Sequence, residues 1–190
     1  MRKLQLSCLG MLLLASQGTS ANTSIGIDMI SDSATRTVSS SFGEGEGSAD
    51  ADGIRLRLSY DSGKNRAVEL YLSSYSVDTA ADLDTIDDNE LDFGANLVFL
   101  GSPGTFIPFG KFGAGFGSVP LDPTAFSEDS ISNVHINAGA GAKLMVTENL
   151  AVVGSLEATY RIWQSIEVLS TTIDIEDKVL RLGLGLEFSF

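Results

Sequence analysis

Leu180-Arg181-Leu182-Gly183-Leu184-Gly185-Leu186-Glu187-Phe188-Ser189-Phe190 decides the reading of this chain. Every even position in that stretch is Leu or Phe, and every odd position is charged, small or polar. Side chains that alternate with a period of two lie on opposite faces of a β-strand, whereas a helix would scatter these apolar residues around its circumference. The same alternation recurs upstream, and eight segments carry it: about 24–31, 53–60, 66–76, 89–100, 105–117, 132–146, 150–163 and 178–190. The connections between them alternate in length. Asp61–Asn65, Gly101–Gly104 and Thr147–Asn149 are short and rich in the Gly, Asn and Pro of tight turns. The connections at roughly 32–52, 77–88, 118–131 and 164–177 are long.

Strands of about ten residues, with short turns at one end and long loops at the other, predict an all-β fold: an eight-stranded antiparallel up-and-down transmembrane β-barrel. Closure is required because lipid cannot satisfy a free sheet edge. No run of 18 apolar residues offers a membrane-spanning helix. A soluble β-sandwich also shows period two, but it does not require the asymmetry between turns and loops.

One parity is free of charge and is expected to face lipid. It includes Ile54, Leu56, Leu58 and Tyr60, then Leu91, Phe93, Ala95, Leu97 and Phe99, with Val134 to Leu144 and Leu150 to Ile162 continuing it. Its aromatic residues fall near the two ends of the strands, as interfacial girdles do. Pro108 lies on this parity and, lacking an N–H, predicts a bulge. The opposite parity collects Asp28, Arg55, Arg57, Glu69, Asp92, Lys111, His135, Lys143, Glu157, Arg161, Arg181 and Glu187, together with many glycines. An eight-stranded barrel is only wide enough inside for side chains. Small Gly beside long Arg would fill such a lumen with a charge network, since buried charges must be paired.

The 190 residues hold 12 Lys+Arg against 25 Asp+Glu, a net charge of −13, which excludes nucleic acid as a partner. One Cys and one His exclude disulfide frameworks and Cys- or His-rich metal sites. Eighteen of the acids fall in the long connections or, like Glu90, at their edge, with only Arg36 and Lys178 to oppose them. The densest group is Asp82, Asp84, Asp87, Asp88 and Glu90, and Asp50-Ala51-Asp52-Gly53 is a fragment of a calcium loop. Neither has the full spacing of a calcium site, so no metal or cofactor is expected. Ser39 to Asp50 is low in complexity and reads as a mobile loop. In the last long connection the apolar parity slips before Leu180. This predicts a ribbon that rises above the membrane, with a bulge near 177–179, and that offers an edge to a partner strand.

Residues 1–21 read as a secretory signal, with Arg2 and Lys3, an apolar stretch from Leu9 to Ala15, and small residues before a cut after Ala21. Cys8 lies at the start of the apolar stretch rather than after it, which argues against lipidation. Residues 22–190 then form the barrel, and no anchoring domain is expected beyond it.

Leu186, Phe188 and Phe190 resemble the C-terminal signal by which the barrel-assembly machinery recognises its substrates. With the eight-strand meander, the chain resembles the small outer-membrane barrel superfamily typified by the OmpX, OmpA-barrel and opacity-protein groups. That resemblance implies a Gram-negative outer-membrane location, termini in the periplasm and long loops outside. The implied partners are outer-membrane lipid and lipopolysaccharide, the assembly machinery, and a surface ligand or host-cell partner. A monomer is expected. Members of the superfamily act as anchors, adhesins, narrow pores or lipid enzymes, and fold alone does not choose among them.

The expected role is structural or surface-interacting, around a filled lumen. The alternative is a narrow, cation-preferring diffusion channel. A lipid-modifying enzyme is the third reading, and His135 is its only candidate base. Barrel deacylases place a Ser two residues after such a His, where this chain has Asn137. No catalytic residue is therefore assigned.

Overall fold

A computed structural model describes residues 23–63, 65–79, 89–120, 130–168 and 171–190. The signal segment 1–21 and the acids Asp82, Asp84, Asp87 and Asp88 lie outside the described residues. The strands are β1 (Thr23–Ser40), β2 (Gly43–Asp61), β3 (Arg66–Thr79), β4 (Asn89–Leu100), β5 (Phe106–Pro120), β6 (Ser130–Met145), β7 (Leu150–Trp163), β8 (Ile166–Val168) and β9 (Thr171–Ser189). Each pairs antiparallel with its neighbour, β9 pairs with both β7 and β1, and the wall of eight strands closes into a ring. The short β8 pairs only with β9, as a continuation of β7.

The start of β1, the end of β9 and the three short turns sit at one end. Phe190 N–H donates to Thr23 O at 3.0 Å, and Ser189 N–H donates to Asn149 O at 2.8 Å. In the first turn Gly63 (φ 73°) and Asn65 (φ 55°) adopt the left-handed region that tight hairpins require, and Gly63 N–H donates to Asp61 Oδ1 at 2.8 Å.

Three expectations need correction. The segment 32–52 is not a loop. Residues Ser40 back to Ala34 pair with Gly43 to Ala49, so the low-complexity stretch is a strand turning at Ser41 and Phe42. Gly43, Gly45 and Gly47 alternate there with Glu44 and Glu46, and this is strand periodicity written without apolar residues. The bulge near 177–179 is absent, because the register of β9 is uniform from Ser189 to Ile173 against β1. The extra residue lies across the ribbon at 163–165, where pairing steps from Ile162↔Glu176 to Ile166↔Ile173. Ile175 does change role, but by packing inward on Val119, Ile131 and Trp163. Pro108 makes no bulge either, since the register of β5 with β6 runs through it unbroken and that with β4 is uniform from Phe109 on. Its carbonyl accepts from Gly101 N–H at 2.7 Å. The N and C=O of one strand residue point the same way, so its missing donor faces a position past the end of β4, where no ladder bond is lost.

The outward parity is apolar over the wall. Ile54, Leu56, Leu70, Leu91, Phe93, Ile136, Leu144, Leu182, Leu184 and Leu186 are all exposed. So large a continuous apolar surface is stable only against lipid or another apolar phase. Phe93 lies tilted against Phe116 (5.7 Å between ring centroids) and Phe99 stacks on Phe112 (5.9 Å), towards opposite ends of the belt.

Candidate functional site: a layered lumen

Inside the ring the alternation inverts. At the short-turn end Ala67, Val98, Phe109, Ala151 and Val153 form an apolar floor, with Leu100 and Met145 against it.

Above the floor Arg57 is the hub of the first charged layer. Its guanidinium donates to both oxygens of Asp28 (2.6 and 2.9 Å), to Glu69 (3.1 Å) and to Glu187 (3.0 Å). Lys111 bridges Glu69 (3.3 Å) and Glu157 (3.0 Å), and Lys143 donates to Glu187. Asn96 Nδ2 donates to Glu69 at 2.8 Å. These partners come from β1, β2, β3, β4, β5, β6, β7 and β9, so the layer laces the whole ring.

The middle layer is built on two arginines that are almost wholly inaccessible. Arg55 donates to Glu157 at 2.7 Å and to Ser73 Oγ at 3.1 Å, and its guanidinium lies 4.6 Å from the Tyr71 ring centroid. Arg181 grips Asp32 through two bonds of 2.6 and 2.7 Å and lies 5.0 Å from the Tyr75 ring. Bidentate geometry and stacking are what guanidinium offers over ammonium.

His135 is sealed at 4 % exposure. Nδ1 lies 3.1 Å from Asn133 Oδ1, an acceptor, so Nδ1 carries the proton. Nε2 then accepts from Tyr71 Oη at 2.8 Å, with Asp92 Oδ1 at 3.3 Å. Tyr75 Oη donates to the other Asp92 oxygen at 3.1 Å. Among the described residues, the partners of the two ring nitrogens are Asn133, Tyr71 and Asp92.

Above it Arg161 donates to Glu90 at 3.1 Å, and Asn133 donates to the same carboxylate at 3.3 Å. The long-loop end closes on Val119, Ile131, Trp163 and Ile175. Trp163 Nε1 donates to Asp177 at 2.7 Å, and Arg36 holds the same carboxylate with bonds of 2.8 and 2.9 Å. Arg36 and Arg161 flank the indole at 5.7 and 5.6 Å.

All twelve charged and His positions read on the inward parity lie in this network. Glu90, Asp32, Asp177 and Arg36 join them, although sequence reasoning placed all four in loops. Tyr71, Tyr75, Asn96, Asn133 and Trp163 were not singled out, and their signal was only that they share a parity with the charges. Among the described residues no cluster of three or more His, Cys, Asp or Glu is arranged to hold a metal ion. Asp50 and Asp52 lie on an extended strand rather than a calcium loop.

The fold and its lumen define an up-and-down barrel with an apolar outside and a polar, filled inside. The chain belongs to the outer membrane protein beta-barrel domain family, whose model matches residues 6–188. Its location is therefore the bacterial outer membrane. Among solved structures, the outer membrane protein OprG of Pseudomonas aeruginosa is 15 % identical, over 91 % of this chain and 98 % of that one, with a TM-score of 0.58. The N-terminal β-barrel domain of OprF, from the same organism, is 16 % identical over 90 % and 100 %, with a TM-score of 0.52. Neisserial surface protein A is 19 % identical over 86 % and 97 %, with a TM-score of 0.45. At these identities the likeness is one of fold. No curated protein matches the chain.

Membrane placement carries its own expected result. Leu184 sits outward in the middle of the apolar run Leu180–Phe188 of β9, paired across to Met29 and Gly154. Leu184→Arg should lower stability in vesicles by about 2–4 kcal/mol, the cost of a cation at the bilayer midplane. Arg at the exposed Glu46 should change it by less than about 0.5 kcal/mol. Denaturant midpoints of the two variants, compared with the parent, measure both.

Proposed function

We propose that this protein is a closed, non-conducting and non-enzymatic outer-membrane barrel, with a structural or surface-interaction role carried by its long-loop end. The observation that carries this reading is the filling of the lumen. A laced charge network occupies its middle, and an apolar cluster lies across each end. Termini and short turns are assigned to the periplasmic side, and the extended β1–β2 and β8–β9 hairpins to the outside. Those hairpins present Glu44, Glu46, Asp50, Asp52, Asp174 and Glu176, an acidic face that keeps the surface hydrated and repels anions. The surrounding partners are outer-membrane lipid and lipopolysaccharide. Leu186, Phe188 and Phe190, outward on the last strand, are assigned to recognition by the assembly machinery. The barrel is assigned as a monomer.

A narrow channel is the second reading. It draws on buried polar atoms of the middle layers that have no protein partner, among them Arg55 Nη2, Asn96 Oδ1, Asn137 Oδ1, Glu157 Oε2 and Thr159 Oγ1. Such groups are sites for internal water. Planar-bilayer conductance of the folded chain decides between the two. The expected record is silent. Discrete, cation-selective steps would overturn the plugged reading and make the Arg55–Glu157 layer a selectivity element.

A further inference from the structure

On the outer surface of the wall, β6, β7, β9 and β1 border an open groove of about 620 Å³. Its floor is Ala138 beside Ala158, a directly paired couple of small residues, with Leu180 next in the same row. Other small outward pairs, such as Ala95 beside Ala114, lie in the belt, but this one leads up to a cation. The groove runs up to the row Tyr160–Lys178–Thr35, where the apolar run of β9 stops. Lys178 is exposed and makes no ion pair among the described residues. It is also the only exposed cation of the long-loop half among them, since Arg36 is held by Asp177. The neighbouring acid on its face, Glu176, accepts a bond of 2.5 Å from Tyr160 Oη.

We propose that this groove is a binding site for one anionic membrane lipid. An acyl chain would lie on Ala138, Ala158 and Leu180, and the headgroup phosphate would sit on the Lys178 ammonium, with the Thr35 hydroxyl beside it. A recess in the lipid-facing belt that ends under a lone ammonium is complementary to an amphiphile whose charge is negative and whose tail is apolar. An acidic protein otherwise repels such headgroups, which makes a local cation the point of attachment. The site rests on the reading of the belt as lipid-facing.

The test uses the full chain folded into nanodiscs of equal palmitoyl-oleoyl phosphatidylglycerol and phosphatidylcholine, followed by native mass spectrometry of the released protein. The parent should retain one phosphatidylglycerol about fivefold over phosphatidylcholine, the preference expected of one basic residue near an anionic lipid. Lys178→Gln should erase the preference, and Glu176→Gln should increase it. Ala158→Phe should lose both lipids, while Ala95→Phe, outward on β4 across the ring from β9, should retain them as the parent does. Equal retention of the two lipids by the parent, a preference that survives Lys178→Gln, or matching behaviour of the two Phe variants would overturn the site. A chain that stays out of the bilayer would instead overturn the membrane reading, and the site with it.

Discussion

Arg57→Met should destabilise the folded barrel by about 3–5 kcal/mol, the cost of breaking a buried charge cluster by removing one partner. Met is close to Arg in volume and adds no void large enough to explain such a loss. What changes is the account of charge at the first lumen layer. Arg57 alone satisfies both oxygens of Asp28, and it also bonds Glu69 and Glu187. Without it Glu69 keeps Lys111 and Asn96, and Glu187 keeps Lys143, but Asp28 is left a buried carboxylate with no cation. The penalty should therefore concentrate on Asp28. Adding Asp28→Asn to Arg57→Met should recover about 1–2 kcal/mol, although the same change in the parent should destabilise. Denaturant unfolding in phospholipid vesicles gives all four corners of that cycle. A loss below about 1 kcal/mol for Arg57→Met would mean that the lumen is wet enough to solvate Asp28, and would weaken the plugged reading.

The inward placement of these groups was legible because parity is local information. Once Leu180 to Phe190 set the alternation, Arg181 and Glu187 had to oppose the leucines, and the same logic ran through Arg55, Arg57, Glu157 and Arg161. The pairing of charges across the lumen was not legible. Arg57 meets Glu187 across 130 residues of sequence, and that meeting depends on the stagger of the whole ring. The upper ends of the strands were hidden for a different reason. Outward positions stop being apolar where a strand leaves the lipid, so β1 continues as Ser31, Ser33, Thr35 and Thr37 outward, with Asp32 and Arg36 on the inward parity. The pattern persists there in polar and small residues, and a search for hydrophobic alternation passes over it. Glu90 was misplaced in the same way, because four neighbouring acids made it look like part of a loop. The apolar lid of Trp163, Ile131, Val119 and Ile175 reverses the polarity rule at the top of the lumen, and this reversal produced the apparent parity slip before Leu180.

Gly115→Val and Gly154→Val should move stability in opposite directions. Both glycines lie in strand interiors, where Gly costs roughly 0.5–1 kcal/mol relative to Ala and β-branched residues are favoured. Propensity alone would make both changes stabilising. The space around them differs. A Cβ at Gly154 would meet nothing within 4 Å on the lipid-facing side of β7. One at Gly115 would strike His135 Nε2, sit 2.5 Å from Tyr71 Oη, and lie 2.6 Å from the carbonyl oxygen of Phe93. The Phe93 oxygen belongs to the neighbouring strand and cannot yield without opening the wall. The side chains can yield only by giving up the Tyr71–His135 hydrogen bond and the seat of Tyr71 under Arg55. Overpacking of about 1–3 kcal/mol and a broken buried hydrogen bond of about 1–3 kcal/mol outweigh the propensity gain. Gly115→Val should therefore lose about 3 kcal/mol or prevent folding, and Gly154→Val should gain about 0.5–1 kcal/mol. Unfolding midpoints measured side by side test the pair. If Gly115→Val proved as stable as the parent, the middle layer would be loose enough to admit a side chain. A lumen that loose would also be loose enough to admit water and small ions.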